Sequence, residues 1–207
     1  EDCEVQVNEH GLPGFYTRYS KSVTEYNFTL KRRSGGKEDR FVLFCLADPQ
    51  CKKGHITRFA NETVADLKAH MSTMGLPCYG VTLGDIVYSE GNRNNVPQMP
   101  DMRANMSKDL TGMPIFQVMG NHDQIHCNES KPLEIDSRSS TIQIKHQRNF
   151  EDMFGPVNYS FNRGDVHIVG MRDISYYNGL GGGHTLGFSN EQVEWLRQDL
   201  ALVPKSK

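Results

Sequence analysis

Three polar residues that could bind a cation or move a proton stand together at Asn121, His122 and Asp123, directly after the apolar run 115–119 and Gly120. A short apolar run that ends on glycine is typical of a buried strand that enters a turn. Asn121 offers an amide oxygen to a hard cation, His122 can hold or transfer a proton, and Asp123 can orient the imidazole. A loop whose polar residues cap a helix is the other interpretation, and these residues alone do not separate the two.

Two other apolar runs also end on acidic residues. Residues 41–47 lead into Asp48, and residues 78–83 lead through glycine into Asp85. Asp85 lies 37 residues after Asp48, and Asn121 lies 36 residues after Asp85. A crossover between parallel strands needs about a dozen residues or more and usually contains a helix, so both gaps predict strand-helix-strand units.

The spacing predicts that Asp48, Asp85 and Asn121 converge. Parallel strands bring their carboxyl ends to one edge of a sheet, which is where open α/β sheets bind ligands. Two carboxylates brought together without a cation would repel each other. The sequence therefore predicts a metal centre at this edge.

Three motifs occur in the order in which one enzyme family carries them: Asp48-Pro49-Gln50, Gly84-Asp85-Ile86-Val87-Tyr88 and Gly120-Asn121-His122-Asp123. Together they resemble the first three motifs of the calcineurin-like metallophosphoesterases, and the Gly-Asn-His-Asp block after a strand is the most specific of them. The resemblance covers roughly residues 41–203. It implies an α/β fold of the metallophosphoesterase type, a sandwich of mixed β-sheets flanked by helices, with its carboxyl-terminal part missing.

The same resemblance implies an activity, which is metal-dependent hydrolysis of phosphate mono- or diesters by water activated on two metal ions (Mn, Fe or Zn). Asp48 would bind one metal, Asp85 would bridge, and Asn121 would bind the other. His122, steadied by Asp123, would stabilise or protonate the leaving oxygen. Further candidate ligands are Gln50 and Tyr88.

Three departures from the family pattern limit this interpretation. Gln50 stands where most members have a histidine, and Tyr88 makes the second motif Gly-Asp-x-x-Tyr. That tyrosine spacing resembles purple acid phosphatases, whose tyrosine ligates iron, although a tyrosine that simply packs is the alternative. The family's later histidine motifs should follow the last helix, so we expect them beyond Lys207. We therefore expect this 207-residue form to hold metal weakly or not at all and to be poorly active. A non-catalytic binding protein with a degenerate fold of this type is the alternative function.

Composition and the absence of certain motifs exclude several other classes of protein. A content of 37% hydrophobic and 23% charged residues is typical of a globular body. The formal charge of −2 gives no polycationic surface for nucleic acid, and no apolar stretch is long enough to span a membrane. Nucleotide-loop and serine-hydrolase motifs are absent. The resemblance implies a phosphate ester as the partner, and it favours a secreted or periplasmic location over a cytoplasmic one.

We interpret residues 1–40 as a β-rich lead-in or the end of an upstream domain, with strands at 4–7 and 26–30, and residues 41–207 as the metallophosphoesterase domain. Accessory domains would be further partners of that domain in a longer chain.

Within 41–207 the patterns predict crossover helices over 59–71 and around 102–110. They also predict loops over 91–100 and 124–144, a short helix over 147–154, and a hairpin of 159–161 with 166–171. The capping box at Ser189 predicts the last helix. Cys45 and Cys78 lie in apolar runs and are expected to be buried thiols. His184 is placed in a glycine loop, whereas His55 and His126 follow the motifs closely enough to face the site.

Overall fold

The computed structural model describes residues 3–14, 16–17, 20–52, 54–88, 98–123, 140–177 and 183–205. In these ranges the chain is a mixed α/β protein with a parallel sheet, antiparallel hairpins and helices, which confirms the α/β part of the predicted fold class. None of the helices in these ranges is both long and apolar enough to cross a membrane.

The parallel sheet consists of β1 (Val42–Leu46), β2 (Cys78–Thr82) and β3 (Ile115–Phe116), in that order. Both strand pairs are parallel, as the spacing of the acidic residues predicted. β3 is shorter than the apolar run 115–119 indicated. The backbone N–H of Val118 donates to the Thr82 hydroxyl at 3.0 Å, so a side chain takes the place of the next ladder bond.

The first crossover contains α1 (Ile56–Arg58), a π-helical stretch (Phe59–Val64) and α2 (Ala65–Met74). Gly75 ends this segment in the left-handed conformation, with φ of 59°. The second crossover contains α3 (Gln98–Asn105) and α4 (Lys108–Thr111), and the Ser107 side chain caps α4 by accepting from the Leu110 N–H. Both predicted crossover helices are therefore present.

The second half of the chain contains α5 (Ser140–Phe154), β4 (Asn158–Arg163) and β5 (Val166–Met171), followed by β6 (Ile174–Tyr177), β7 (Gly183–Leu186) and α6 (Asn190–Ala201). β4 and β5 form the predicted antiparallel hairpin. Stacking of Phe116 on Phe161, with ring centroids 3.9 Å apart, joins this hairpin to the parallel sheet.

Two predictions in this half are wrong. α5 begins seven residues earlier than expected, because each added helical residue closes another backbone bond even where the apolar pattern is weak. The segment around His184 is not a loop: β7 pairs with β6 in antiparallel register, and its first residue, Gly183, adopts extended backbone. Of the two predicted loops, residues 91–97 and 124–139 lie outside the described residues, whereas residues 98–100 and 140–144 are helical instead of loop.

The last helix begins at the predicted capping box, in which Ser189 and Gln192 bond reciprocally. Its apolar residues Val193 and Leu200 are 43% and 50% exposed. A polar contact holds the helix instead, since the Asp199 carboxylate accepts from Ser160 at 2.6 Å and contacts His167 Nε2 at 2.7 Å.

The strands predicted at 4–7 and 26–30 are not formed. The described part of the lead-in has turns and isolated bridges, Cys3 with Arg32 and Val7 with Pro13. Alternating residues make a strand only where a neighbouring strand bonds their backbone, and Leu30 is 60% exposed. The lead-in nevertheless packs on residues 41–207, because Leu12 is fully buried in the shared core.

A buried polar cluster also ties the lead-in to β2. The Glu38 carboxylate forms an ion pair with Arg33 and accepts from the Tyr79 hydroxyl at 2.7 Å. The Arg163 guanidinium lies over the same tyrosine ring, 4.9 Å from its centroid, and donates to the Cys3 carbonyl.

One cysteine prediction also fails. Cys78 is half-buried, but Cys45 is exposed, because β1 is an edge strand of the described sheet and Cys45 points away from the core. The core joins residues of β1 and β3 with residues of the π-helical stretch, α3 and α5. Its largest fully buried side chains are Phe150, Leu12, Ile86, Met102, Met106, Met113, Ile115 and Met119.

Candidate functional site

The loops after β1 and β2 run side by side at the carboxyl edge of the parallel sheet. The Gln50 N–H donates to the Asp85 carbonyl at 2.8 Å, and the Cys51 N–H donates to the Ile86 carbonyl at 3.3 Å. The Tyr88 N–H returns a bond to the Cys51 carbonyl at 3.2 Å. This short ladder fixes the first two sequence motifs against each other.

Three residues of these loops have positive φ without being glycine: Asp48 at 46°, Gln50 at 40° and Asp85 at 53°. No other non-glycine residue in the described part of the chain does so. A non-glycine residue in this region costs on the order of 1–3 kcal/mol and persists where its surroundings enforce it, commonly at functional sites. The strain thus coincides with three of the predicted ligands.

Asp85 is at the centre of the site. Its carboxylate accepts from the Gln50 side-chain amide at 3.0 Å and from the His122 backbone N–H at 2.9 Å. The same oxygen that meets Gln50 lies 4.0 Å from His122 Nε2. Gln50 Nε2 is also 3.5 Å from a carboxylate oxygen of Asp48. The structure therefore brings four of the predicted residues together.

Two glycines allow this close approach. A Cβ on Gly120 would lie 2.1 Å from Asp85 Oδ1 and 2.3 Å from the Asp85 nitrogen. Gly84 has φ of 94°, and a Cβ there would lie 2.9 Å from the Gly120 Cα. The second and third motifs contact each other through backbone, with no room for a side chain at either glycine.

Asp123 does not hold the His122 imidazole, contrary to the role expected from the sequence. Its carboxylate is buried and accepts the backbone N–H groups of Gly120 at 2.8 Å and Val87 at 3.1 Å. Burial raises the pKa of Asp123 to about 7, while those two N–H groups act in the opposite direction. Asp123 shapes the turn because the unpaired N–H groups there need an acceptor inside the protein.

His122 is oriented by a ring. Its Nδ1 is buried and has no hydrogen-bond partner within the described residues. The Tyr88 ring stacks on the imidazole, with centroids 5.7 Å apart and planes at 28°. Lys52 Nζ also contacts this ring, 3.7 Å from its centroid. Tyr88 therefore contacts its neighbours through its ring and its backbone.

The donor chemistry fits a cation between Asp48 and Asp85. The Gln50 side-chain amide directs its nitrogen toward both carboxylates, a position that favours positive charge. If the amide group were rotated by 180°, its oxygen would face this position instead. Carboxylate and amide oxygens suit hard cations. Across the described residues, however, no three His, Cys, Asp or Glu side chains form a group that could hold a metal ion.

Two other predicted residues lie near the site without joining the carboxylate cluster. Asn121 occupies the turn between Gly120 and His122 and is half-buried, and the bonds found among the described residues do not link its amide to Asp48 or Asp85. His55 is exposed, and its carbonyl accepts from the Phe59 N–H at the start of the first crossover helix. His126 lies outside the described residues.

Lys52 is the residue that sequence reasoning missed. The signal was present, since Lys52 stands two positions after Gln50 and follows the same strand end. Its contact with Tyr88 depends on the pairing of two loops, and the sequence does not show that pairing. Compared with models of known protein families the chain matches none, and no curated protein matches it.

Proposed function

We propose that this protein is a metal-dependent hydrolase of phosphate mono- or diesters, with the fold and sheet arrangement of the metallophosphoesterases. One observation carries the proposal most directly. Asp48, Gln50 and Asp85 hold strained backbone and converge at the carboxyl edge of a parallel sheet, beside an imidazole. Strain that is maintained at three converging polar residues favours a functional site over a loop that only caps a helix.

Asp48 and Asp85 would hold the cation, and Asn121 and Gln50 could add amide oxygens. When bound, two such ions would neutralise charge on the phosphoryl oxygens and lower the pKa of attacking water. The chain supplies the remaining groups. His122 Nε2 lies on the rim, 4.0 Å from Asp85, where it can carry a proton to the leaving oxygen. Tyr88 keeps the imidazole plane fixed, and Asp123 fixes the turn that presents His122.

A non-catalytic binding protein of the same fold remains the second candidate, and Gln50 favours it. The Gln50 amide already donates to both carboxylates, so it reduces their mutual repulsion in the absence of a cation. A site stabilised in this way can persist after metal binding has been lost.

Turnover of p-nitrophenyl phosphate and its bis ester with Mn²⁺, Fe²⁺ or Zn²⁺, with and without a chelator, tests the proposal. Asp85→Asn and His122→Ala should abolish hydrolysis. The matched controls are Asp109→Asn and His70→Ala, both at exposed helical positions. The parent protein should hydrolyse the esters slowly when the metal is in excess. Equal turnover in the Asp85 and His122 variants, or none in the parent protein with any metal in excess, would refute the hydrolase.

Metal analysis of the purified chain addresses the ligand set. We expect fewer than two tightly held equivalents per chain, because Asp48, Asp85 and Asn121 offer oxygen donors whereas Zn²⁺ and Fe²⁺ favour nitrogen. Two tightly held equivalents would show that further ligands complete the site.

A further inference from the structure

The Lys52 ammonium and the His122 imidazole both contact the ring of Tyr88. Lys52 Nζ lies 3.7 Å from the Tyr88 ring centroid, and the Tyr88 ring stacks on His122. A cation–π contact at an exposed site contributes only about 0.5–1 kcal/mol. It is therefore strong enough to favour one place for the ammonium and weak enough to be exchanged for a better partner.

The backbone fixes where this cation sits. Cys51 bonds to Ile86 and receives a bond from Tyr88, so the next residue, Lys52, lies alongside the tyrosine. Lys52 is exposed, and no carboxylate among the described residues forms an ion pair with it. The nearby carboxylates of Asp48 and Asp85 are instead engaged by the Gln50 amide.

The position of Lys52 also indicates which part of a substrate it would meet. The scissile phosphoryl group belongs over Asp48 and Asp85, and His122 marks the side on which the leaving oxygen departs. Lys52 Nζ contacts Tyr88, and the same ring stacks on the imidazole. An anion attached to the leaving group would extend past His122 toward the Tyr88 ring, where Lys52 is.

We propose that Lys52, seated on Tyr88, recognises a second anionic group on the leaving side of the substrate. The preferred substrates are then phosphate esters whose leaving group carries a carboxylate or a further phosphate, rather than esters of neutral alcohols. This inference rests on the proposed hydrolase function. Tyr88 acts in it as a positioning residue, since its ring places both the ammonium and the imidazole.

The test compares two substrates of nearly equal size, 4-carboxyphenyl phosphate and 4-carbamoylphenyl phosphate, by kcat/KM at neutral pH. The parent protein should favour the anionic ester, and Lys52→Met should lose about tenfold on that ester with little change on the neutral amide. Dividing each variant's ratio by the parent ratio removes the intrinsic reactivity of the two leaving groups. Added salt should reduce the preference in the parent and have little effect in Lys52→Met.

Three further variants separate recognition from packing. Lys68→Met removes an exposed lysine of α2 that bonds to the Leu110 carbonyl, and it should leave the ratio unchanged. Tyr88→Phe retains the ring and should retain the preference, whereas Tyr88→Leu should lose it and also lower kcat on both esters through His122.

The two hypotheses fail in different ways. An unchanged ratio in Lys52→Met, with both esters still hydrolysed, would overturn the role of Lys52 and leave the hydrolase intact. Absence of turnover of both esters by the parent protein with any of the three metals would refute the hydrolase, and this inference with it.

Discussion

Replacing Gly120 with alanine tests whether close backbone contact builds the site. The φ of Gly120 lies outside the positive region, so alanine meets no backbone penalty there and its effect is steric. The new methyl group would lie 2.1 Å from Asp85 Oδ1 and 2.3 Å from the Asp85 nitrogen. Ordinary contacts of a Cβ begin near 3.4 Å, so the two loops must separate by more than 1 Å.

The size of the effect follows from what that separation removes. Overpacking a closely packed contact costs about 1–3 kcal/mol. The bond from the His122 N–H to the Asp85 carboxylate, 2.9 Å long, is of the charged type that contributes about 1.5–3 kcal/mol. We therefore expect Gly120→Ala to lower the free energy of unfolding by about 3–5 kcal/mol. Because small proteins have urea m-values of about 1–3 kcal/mol/M, the midpoint should fall by about 2 M.

Urea unfolding followed by circular dichroism measures this change, and metal titration of the same samples reports on the site. Gly35→Ala is the matched control, because its Cβ would meet only a side-chain atom of Arg33 at 3.6 Å and should shift the midpoint little. A Gly120→Ala protein with the stability and metal affinity of the parent would show that the second and third motifs are not held by this contact.

Three other changes have defined outcomes. Gln50→His should raise Zn²⁺ affinity at least several-fold by calorimetry, because imidazole nitrogen is a better ligand for zinc than an amide; equal or weaker binding would place Gln50 outside any metal site. In the metal-free protein the native pKa of Asp123 is about 7 against an ordinary 3.8, so the stability it contributes is complete below about pH 4 and is lost as the pH rises through 7. Asp123→Asn should flatten that part of the pH profile of unfolding, and an identical slope in both proteins would contradict the assignment. A maleimide at pH 8 should label the exposed Cys45 rapidly and Cys51 only after unfolding, because Cys51 is buried and burial raises its pKa to about 11; equal labelling rates by peptide mass spectrometry would contradict the packing of the first loop.

Local pattern determined much of the fold. The apolar runs before Asp48 and Asp85 are strands, the gaps between the motifs contain helices, and the last helix begins at its capping box. These features depend on neighbours in sequence: an apolar run, a glycine stop, or a side chain that reaches a backbone N–H three residues away. The same spacing correctly predicted a parallel sheet, since a long crossover with a helix has few other solutions.

Pairing between distant segments decided the rest. Residues 26–30 alternate like a strand but pair with no strand among the described residues, while residues 183–186 look like a glycine loop and form a strand. Cys45 lies in an apolar run and is exposed because β1 is an edge strand of the described sheet. A hydrogen bond between two strands depends on both strands, and so does the face that a strand buries. The sequence of one strand alone therefore predicts neither feature.

For the candidate site too, some features follow from the sequence and others only from the tertiary structure. The sequence by itself selected Asp48, Gln50, Asp85 and His122 as candidates, because ligand and acid-base chemistry is carried by residue type and by position after a strand. Only the tertiary structure showed that the Asp123 carboxylate accepts hydrogen bonds from backbone N–H groups and that Lys52 contacts the Tyr88 ring. A buried carboxylate bonds to whichever N–H groups lack a partner, and a ring stacks on whichever side chain the neighbouring loop presents. Both choices depend on contacts that exist only after the loops have come together.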